Sequence, residues 1–330
     1  MVITDRYGEA ANAALSAIAD DNYVSRLERT IKAETGKFAV ALCSVDAAIH
    51  TALHLCGVER GDYVLAPTFT YYSYITPVLH VGGVPVFLDC DPVTRCVSVQ
   101  ALDAALLWCS LQNKPPKAVI IDNAFGSVAD YDMLAPLCSA YDVRLIELAV
   151  DAYRGRYKNT PCGANGSYGV IGFGKELSGG GSALVCDDEA ARAEMFARIR
   201  YSDDESYDYG MSNAVAALNY AKIVTADKVL KRRKANQAAL AAACDNVVRP
   251  VNGDSGRYIM CKPSCGIEEL REKGFNVKKP PPVHTLARYG DCAYFEHEPG
   301  YSVCASFIDH CFIDTDISAS KRLQLARMIR

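Results

Sequence analysis

The chain has 330 residues, half of them apolar, and its 35 basic and 39 acidic side chains leave a formal net charge of −4. That length and apolar share support a large core. The charge balance excludes a basic nucleic-acid binder, and no run of about 18 apolar residues offers a membrane-spanning helix. The opening "MVITDRYGEAANAAL" lacks the charged-then-apolar layout of a secretory leader, so a cytoplasmic location is expected.

From about residue 37 the chain alternates short β-rich runs with helical stretches. "KFAVALCS" reads as a buried strand. "VDAAIHTALHLCG" follows with Ala48, Ile49, Ala52, Leu53 and Cys56 at helical spacing, closed by Gly57. "DYVLAPTFTY", "VPVFLDC", "KAVIIDNAFG" and "VRLIELAVD" read as further strands, separated by helices at "SVQALDAALLWC" and "YDMLAPLCSAYD". The strands are continuous apolar runs, as expected when both faces are covered. The βαβα rhythm predicts a mostly parallel sheet sandwiched by helices. After residue 155, "GSYGVIGFG" and "SALVCDD" read as two strands joined by a glycine turn, followed by a long helical zone. We read residues 1–225 as a large α/β domain and 226–330 as a small C-terminal α+β domain.

Fourteen cysteines are scattered singly through apolar runs, which fits reduced, buried thiols acting as small hydrophobes. Cys261 and Cys265 in "CKPSC" are the one close pair. No second pair follows at a zinc-like spacing, and His284, Cys292 and His297 form no recognisable ligand pattern, so no metal is expected.

Ligands of open α/β sheets sit at the carboxyl ends of the strands. The candidates there are Ser44 to Asp46, Thr68 to Tyr71, Asn123, Leu148 to Asp151 and Lys175. Lys175 stands out, because it lies between an apolar strand and the glycine run of "GFGKELSGGG", where backbone can approach a ligand closely.

The stretches "ALCSVDAAIHTALHLCGVERGDYVLAPTFTYYSYITPVLHVGGVPVFLDCDP", "AVIIDNAFGSVADYDMLAPLCSAYDVRLIELAVDAYRG", "GSYGVIGFGKELSGGGSALV" and "YGMSNAVAALNYAKI" together resemble the DegT/DnrJ/EryC1/StrS family, pyridoxal-phosphate (PLP) enzymes of fold type I. The resemblance spans nearly the whole chain. It implies an aspartate-aminotransferase-like fold, PLP as cofactor, transamination of nucleotide-linked keto-sugars, and a site at a dimer interface.

Carried over position by position, Lys175 matches the Schiff-base lysine and Tyr71 the aromatic residue that stacks on the cofactor ring. Other positions depart from the family. "E-D-A-A-Q" reads "ELAVD" here, so Leu148 replaces the acid beside the pyridine nitrogen, and Asp151 replaces the ring-facing Gln or Glu. "S-G-T-A-A" reads "SVDAA", so Ser44 stays, Val45 replaces a glycine, and Asp46 replaces a threonine donor to the phosphate. Asp46 also opens a helix, where a plain N-cap role is expected. Gly172 stands for the phosphate-touching serine. Asp208 stands for the asparagine that reaches a partner subunit's phosphate, with Gly210 for the following arginine. An anion beside the ring nitrogen is what makes the ring an electron sink, and a carboxylate near a phosphate dianion repels it.

Two functions follow. One is an aminotransferase-family enzyme that holds PLP through Lys175 in a diverged pocket contacted by Tyr71, Ser44, Asp46, Asp151 and Asp208. The other is a PLP-free homologue with a repurposed ligand pocket, or a non-catalytic subunit paired with an active relative. In either case a homodimer or heterodimer is expected, with a nucleotide-sugar or other small molecule as ligand.

Overall fold

The computed structural model describes residues 23–174, 180–200, 208–279, 281–290, 292 and 301–329. Helix α1 (Tyr23–Thr35) leads into β1 (Phe38–Leu42) and α2 (Val45–Leu55). Next come β2 (Tyr63–Pro67), α3 (Tyr72–His80), β3 (Val84–Leu88), α4 (Val99–Leu111), β4 (Ala118–Asp122), α5 (Tyr131–Ala140) and β5 (Arg144–Ala149). A two-stranded ribbon, β6 (Arg156–Tyr157) with β7 (Thr160–Pro161), precedes β8 (Tyr168–Gly172) and β9 (Ser182–Cys186). Helices α6 (Glu189–Arg200), α7 (Asn213–Val224) and α8 (Ala226–Ala243) follow. The expected strand and helix runs up to residue 243 are all present.

Seven strands form the main sheet in the order β1-β9-β8-β5-β4-β2-β3. The pairs β2·β3, β2·β4, β4·β5 and β5·β8 are parallel, and β9 runs against both its neighbours, β1 and β8. The sheet is covered on both sides, as its unbroken apolar strands require. One face packs Ile120, Ile146, Leu148 and Val170 against α2 and α3. The other packs Val119, Ile121, Leu145 and Ala149 against α4 and α5, with Leu27 and Ile31 of α1 at its edge.

A second, four-stranded antiparallel sheet is ordered β10 (Val247–Val248), β11 (Tyr258–Cys261), β13 (Cys311–Asp314) and β12 (Val277–Lys278). With α8, α9 (Ile267–Glu272) and the closing helix α11 (Ala319–Ile329) it encloses its own apolar cluster around Leu240, Ile259, Leu270, Ile313 and Leu325. The short helix α10 (Ser302–Ser306) is tied to the main sheet, because the backbone N–H groups of Val303 and Cys304 donate to the Asp89 carboxylate.

Among the described residues no group of His, Cys, Asp and Glu is placed to hold a metal ion, and no helix is long and apolar enough to cross a membrane. Cys261 faces Cys311 across β11·β13 at 4.0 Å, and His284 packs against the rings of Phe87 and Tyr301.

Candidate functional site

The parallel strands deliver their carboxyl ends to one edge of the main sheet. β1 ends before Ser44, β2 before Thr68–Tyr71, β4 on Asp122, β5 just before Val150 and Asp151, and β8 on Gly172. Lys175 lies outside the described residues, three positions beyond Gly172. The segments on either side of it are held firmly. Gly172 is the Cα partner of Ser182, and the Ser182 hydroxyl donates to the Ser44 carbonyl at 2.6 Å. Asn219 donates to the Gly180 carbonyl and Lys222 to that of Phe173. The flank after Lys175 thus lies beside the start of α2.

Helix α2 begins there for a local reason. Ser44 is extended, and its side chain accepts from the Ala47 N–H, satisfying one of the free donors of the first turn. The N-cap role expected of Asp46 therefore belongs to Ser44. Asp46 sits inside the first turn and is exposed, so its negative charge complements the positive end of the helix. The same charge competes with any anionic ligand there.

The segment containing Asp208 runs along the outer edge of β1. Cys43 N donates to Tyr209 O at 2.8 Å, and Leu42 bridges Gly210. Asp208 is exposed and lies at the same end of β1 as Ser44 and Asp46.

Tyr71, half-buried, packs on Phe125 with ring centroids 5.0 Å apart and meets Tyr74 edge-on at 5.3 Å. Burial first, and then the nearby Asp151 charge, push its pKa far up. Tyr74 is shifted upward by burial first, and then by the charges of Asp151, Asp122 and Asp46. Burial raises Asp151 to about 6 against the pull of Arg257 and Lys278. Beside Asp151 a cavity of about 280 Å³ opens, with Gly172, Gly174, Lys222, Arg233 and Arg257 in its wall.

Asn123 does not join this space. Its side chain turns to the opposite face of the sheet, where it donates to Glu147 Oε1 at 2.8 Å and accepts from Ala129 N and the Tyr131 hydroxyl. Gly172 is closely packed, since a Cβ there would come 2.4 Å from Val150 Cγ1. A serine at this position needs Val150 to move.

Asp122 is the residue that sequence reasoning passed over. It is 3 % exposed, ends β4, and is the Cα partner of Leu148. Its Oδ2 accepts from the Thr70 hydroxyl at 2.6 Å. Burial, and then the Asp151 charge, raise its pKa to about 7 although the Thr70 bond opposes the shift. Strand alternation could have flagged it, because an acid closing the all-apolar "AVII" breaks a pattern that hydrophobic burial explains.

The residues present fit a planar aromatic ring carrying an anionic arm. Tyr71 offers an aromatic face and the Gly172 backbone a close approach. The positive end of the α2 dipole faces the arm, partly offset by Asp46.

Residues 4–253 match the DegT/DnrJ/EryC1/StrS aminotransferase family, and the chain belongs to it. It is 31% identical over 310 residues, 85% of this chain and 79% of the relative, to the "Putative pyridoxal phosphate-dependent aminotransferase EpsN" of Bacillus subtilis (strain 168). To GDP-perosamine synthase of Vibrio cholerae it is 25% identical over 210 residues, 60% of this chain and 56% of that enzyme's length. The crystal structure of a DegT DnrJ EryC1 StrS aminotransferase from Brucella abortus superimposes with a TM-score of 0.86 at 21% identity, covering 98% of this chain and 95% of that one. The fold is therefore the fold-type I, aspartate-aminotransferase-like α/β architecture.

Proposed function

We propose, with membership of the DegT/DnrJ/EryC1/StrS aminotransferase family as the premise, that this chain is a PLP-dependent aminotransferase for a sugar-like ketone, with Lys175 as the amine that holds the cofactor's aldehyde. Its cofactor pocket differs from the family's pattern at Leu148, Asp46, Gly172 and Asp208. The observation that carries this reading is that β2, β5 and β8 bring Tyr71, Asp151 and Gly172 to the carboxyl edge of one sheet, with Lys175 three positions beyond Gly172 in sequence. Bound PLP supplies an electron sink that lets an amino group pass between donor and ketone. The chain's own residues then have separable tasks. Tyr71 flanks the ring, the α2 N-terminus attracts the phosphate, and Asp151 sits beside the cavity with a pKa near neutrality, suited to holding or releasing a proton. Burial of Tyr71 and Tyr74 keeps water from that side.

The test is the absorption spectrum of purified protein with added PLP, followed by borohydride reduction and peptide mass analysis. A band at about 400–430 nm that is absent in Lys175→Ala, with the cofactor mass on the peptide containing Lys175, is expected. No band at saturating PLP overturns the reading.

A second reading draws support from Asp46 and Gly172. An exposed acid in the first turn of α2 opposes a phosphate, and Val150 crowds the space that a serine at position 172 would need. On this reading the chain is a PLP-free subunit paired with an active homologue, or binds another small molecule. Co-purification of a related chain together with a blank spectrum is its signature.

A further inference from the structure

Two observations about β4 and β5 go together. In the parallel register Asp122 is paired with Leu148, so their side chains leave the sheet on the same face. That face is the one carrying Ala118, Ile120, Ile146, Tyr71 and Tyr74. Leu148 is completely buried and cannot hold a charge, whereas Asp122 brings a carboxylate to the position one strand away. Neighbouring strands lie about 4.8 Å apart, within the reach of a side chain and a modest tilt of a ligand ring.

Thr70 occupies Asp122 Oδ2. Among the described residues none donates to Oδ1, and no cationic side chain pairs with the carboxylate. A buried acid with one neutral donor is costly unless something else answers it. A protonated ring nitrogen would do so, as both a donor and a positive charge.

We propose that Asp122 is the carboxylate that faces the pyridine nitrogen of bound PLP, supplied from β4 where β5 carries Leu148. This rests on the reading of the site as a PLP site. It also accounts for both departures together: the acid has not been lost from the pocket but has moved to the adjacent strand.

The test compares the affinity of the full chain for PLP and for the deaza analogue of PLP, whose ring nitrogen is replaced by C–H. The wild type should prefer PLP by roughly tenfold or more. Asp122→Asn should erase that preference by weakening PLP binding alone, with analogue binding unchanged as the check on folding. Asp151→Asn should keep the preference, and Asp122→Asn with Leu148→Asp should restore it. The ring-nitrogen NMR shift of labelled PLP should report a protonated nitrogen in the wild type and a neutral one in Asp122→Asn. Equal wild-type affinity for the two compounds overturns the proposal even if the variant fails to fold. So does a preference that survives Asp122→Asn or vanishes in Asp151→Asn. If the wild type binds neither compound, the PLP reading itself falls; if it binds both equally, only the role of Asp122 falls.

Discussion

On one face of the central sheet Glu147 is completely buried and collects a full set of donors: Asn123 Nδ2 at 2.8 Å, Asn165 N at 2.6 Å and Asn165 Nδ2 at 3.1 Å. On the other face, at the same strand ends, Asp122 is almost as buried and, among the described residues, receives only the Thr70 hydroxyl. Burial raises both pKa values, and hydrogen bonds oppose it far more extensively at Glu147. A buried carboxylate ringed by donors is a structural tie between loops. One that, among the described residues, has a single neutral donor and no cationic partner is the exception that the proposal for Asp122 rests on.

The largest expected effect is at Glu147. Replacing it by alanine strands the buried amide of Asn123 and the half-buried one of Asn165, and urea unfolding should show a loss of about 3–5 kcal/mol. A loss under about 1 kcal/mol would remove the contrast between the two faces, since Glu147 would then be no more embedded than a surface acid.

Next comes Asp122 in the cofactor-free protein. Its pKa rises from an ordinary 3.8 to about 7 on folding. Between those values the folded state keeps a proton that the unfolded state has released, so the protonated acid stabilises at low pH and that contribution is lost as pH rises through 7. Asp122→Asn cannot ionise. Its advantage over wild type should therefore grow from pH 4 to pH 8, reaching at most about 4 kcal/mol. Thermal unfolding across that range checks the sign, and an advantage that shrinks with rising pH would contradict the assignment.

Smaller effects come from the phosphate side of the site. Gly172→Ser drives a Cβ into Val150 and should cost about 1–3 kcal/mol, most of it recovered by adding Val150→Ala. If the double variant is no more stable than the single one, the clash is not the cause. Ser44→Ala removes the α2 cap and should cost about 1 kcal/mol. Asp46→Ala should cost less, because an acid at this end contributes only through the helix dipole, while raising affinity for an anion at the same helix end.

Much of this was legible in the chain. The apolar runs at 38–42, 63–67, 84–88, 118–122 and 144–149 are all strands, because a sheet covered on both faces demands unbroken apolar sequence. The sheet edge as the place for a ligand followed from the βαβ rhythm. Individual roles were harder to read. Asn123 and Asp122 are neighbours at one strand end, and which of them enters the site depends on which face each takes. Asn123 is among the strand-end candidates and Asp122 is not, but alternation sends Asn123 to Glu147 and leaves Asp122 on the face of Leu148 and Tyr74. At the start of α2, Ser44 and Asp46 are both good cap residues, and only backbone geometry makes Ser44 the cap.

Sequence alone pointed to the architecture and the family, and it raised the expectation of a pocket changed at Leu148, Asp46, Gly172 and Asp208. These follow from local pattern and motif order, which need no knowledge of distant contacts. Tertiary structure decided what lies beside these positions: that Leu148 is in register with Asp122, that Gly172 is pressed against Val150, and that Phe125 links Tyr71 to Phe312 of the second sheet. The reason is that strand register and side-chain face are fixed by packing between segments tens of residues apart, and a one-residue slip would send every one of these side chains to the other side of the sheet.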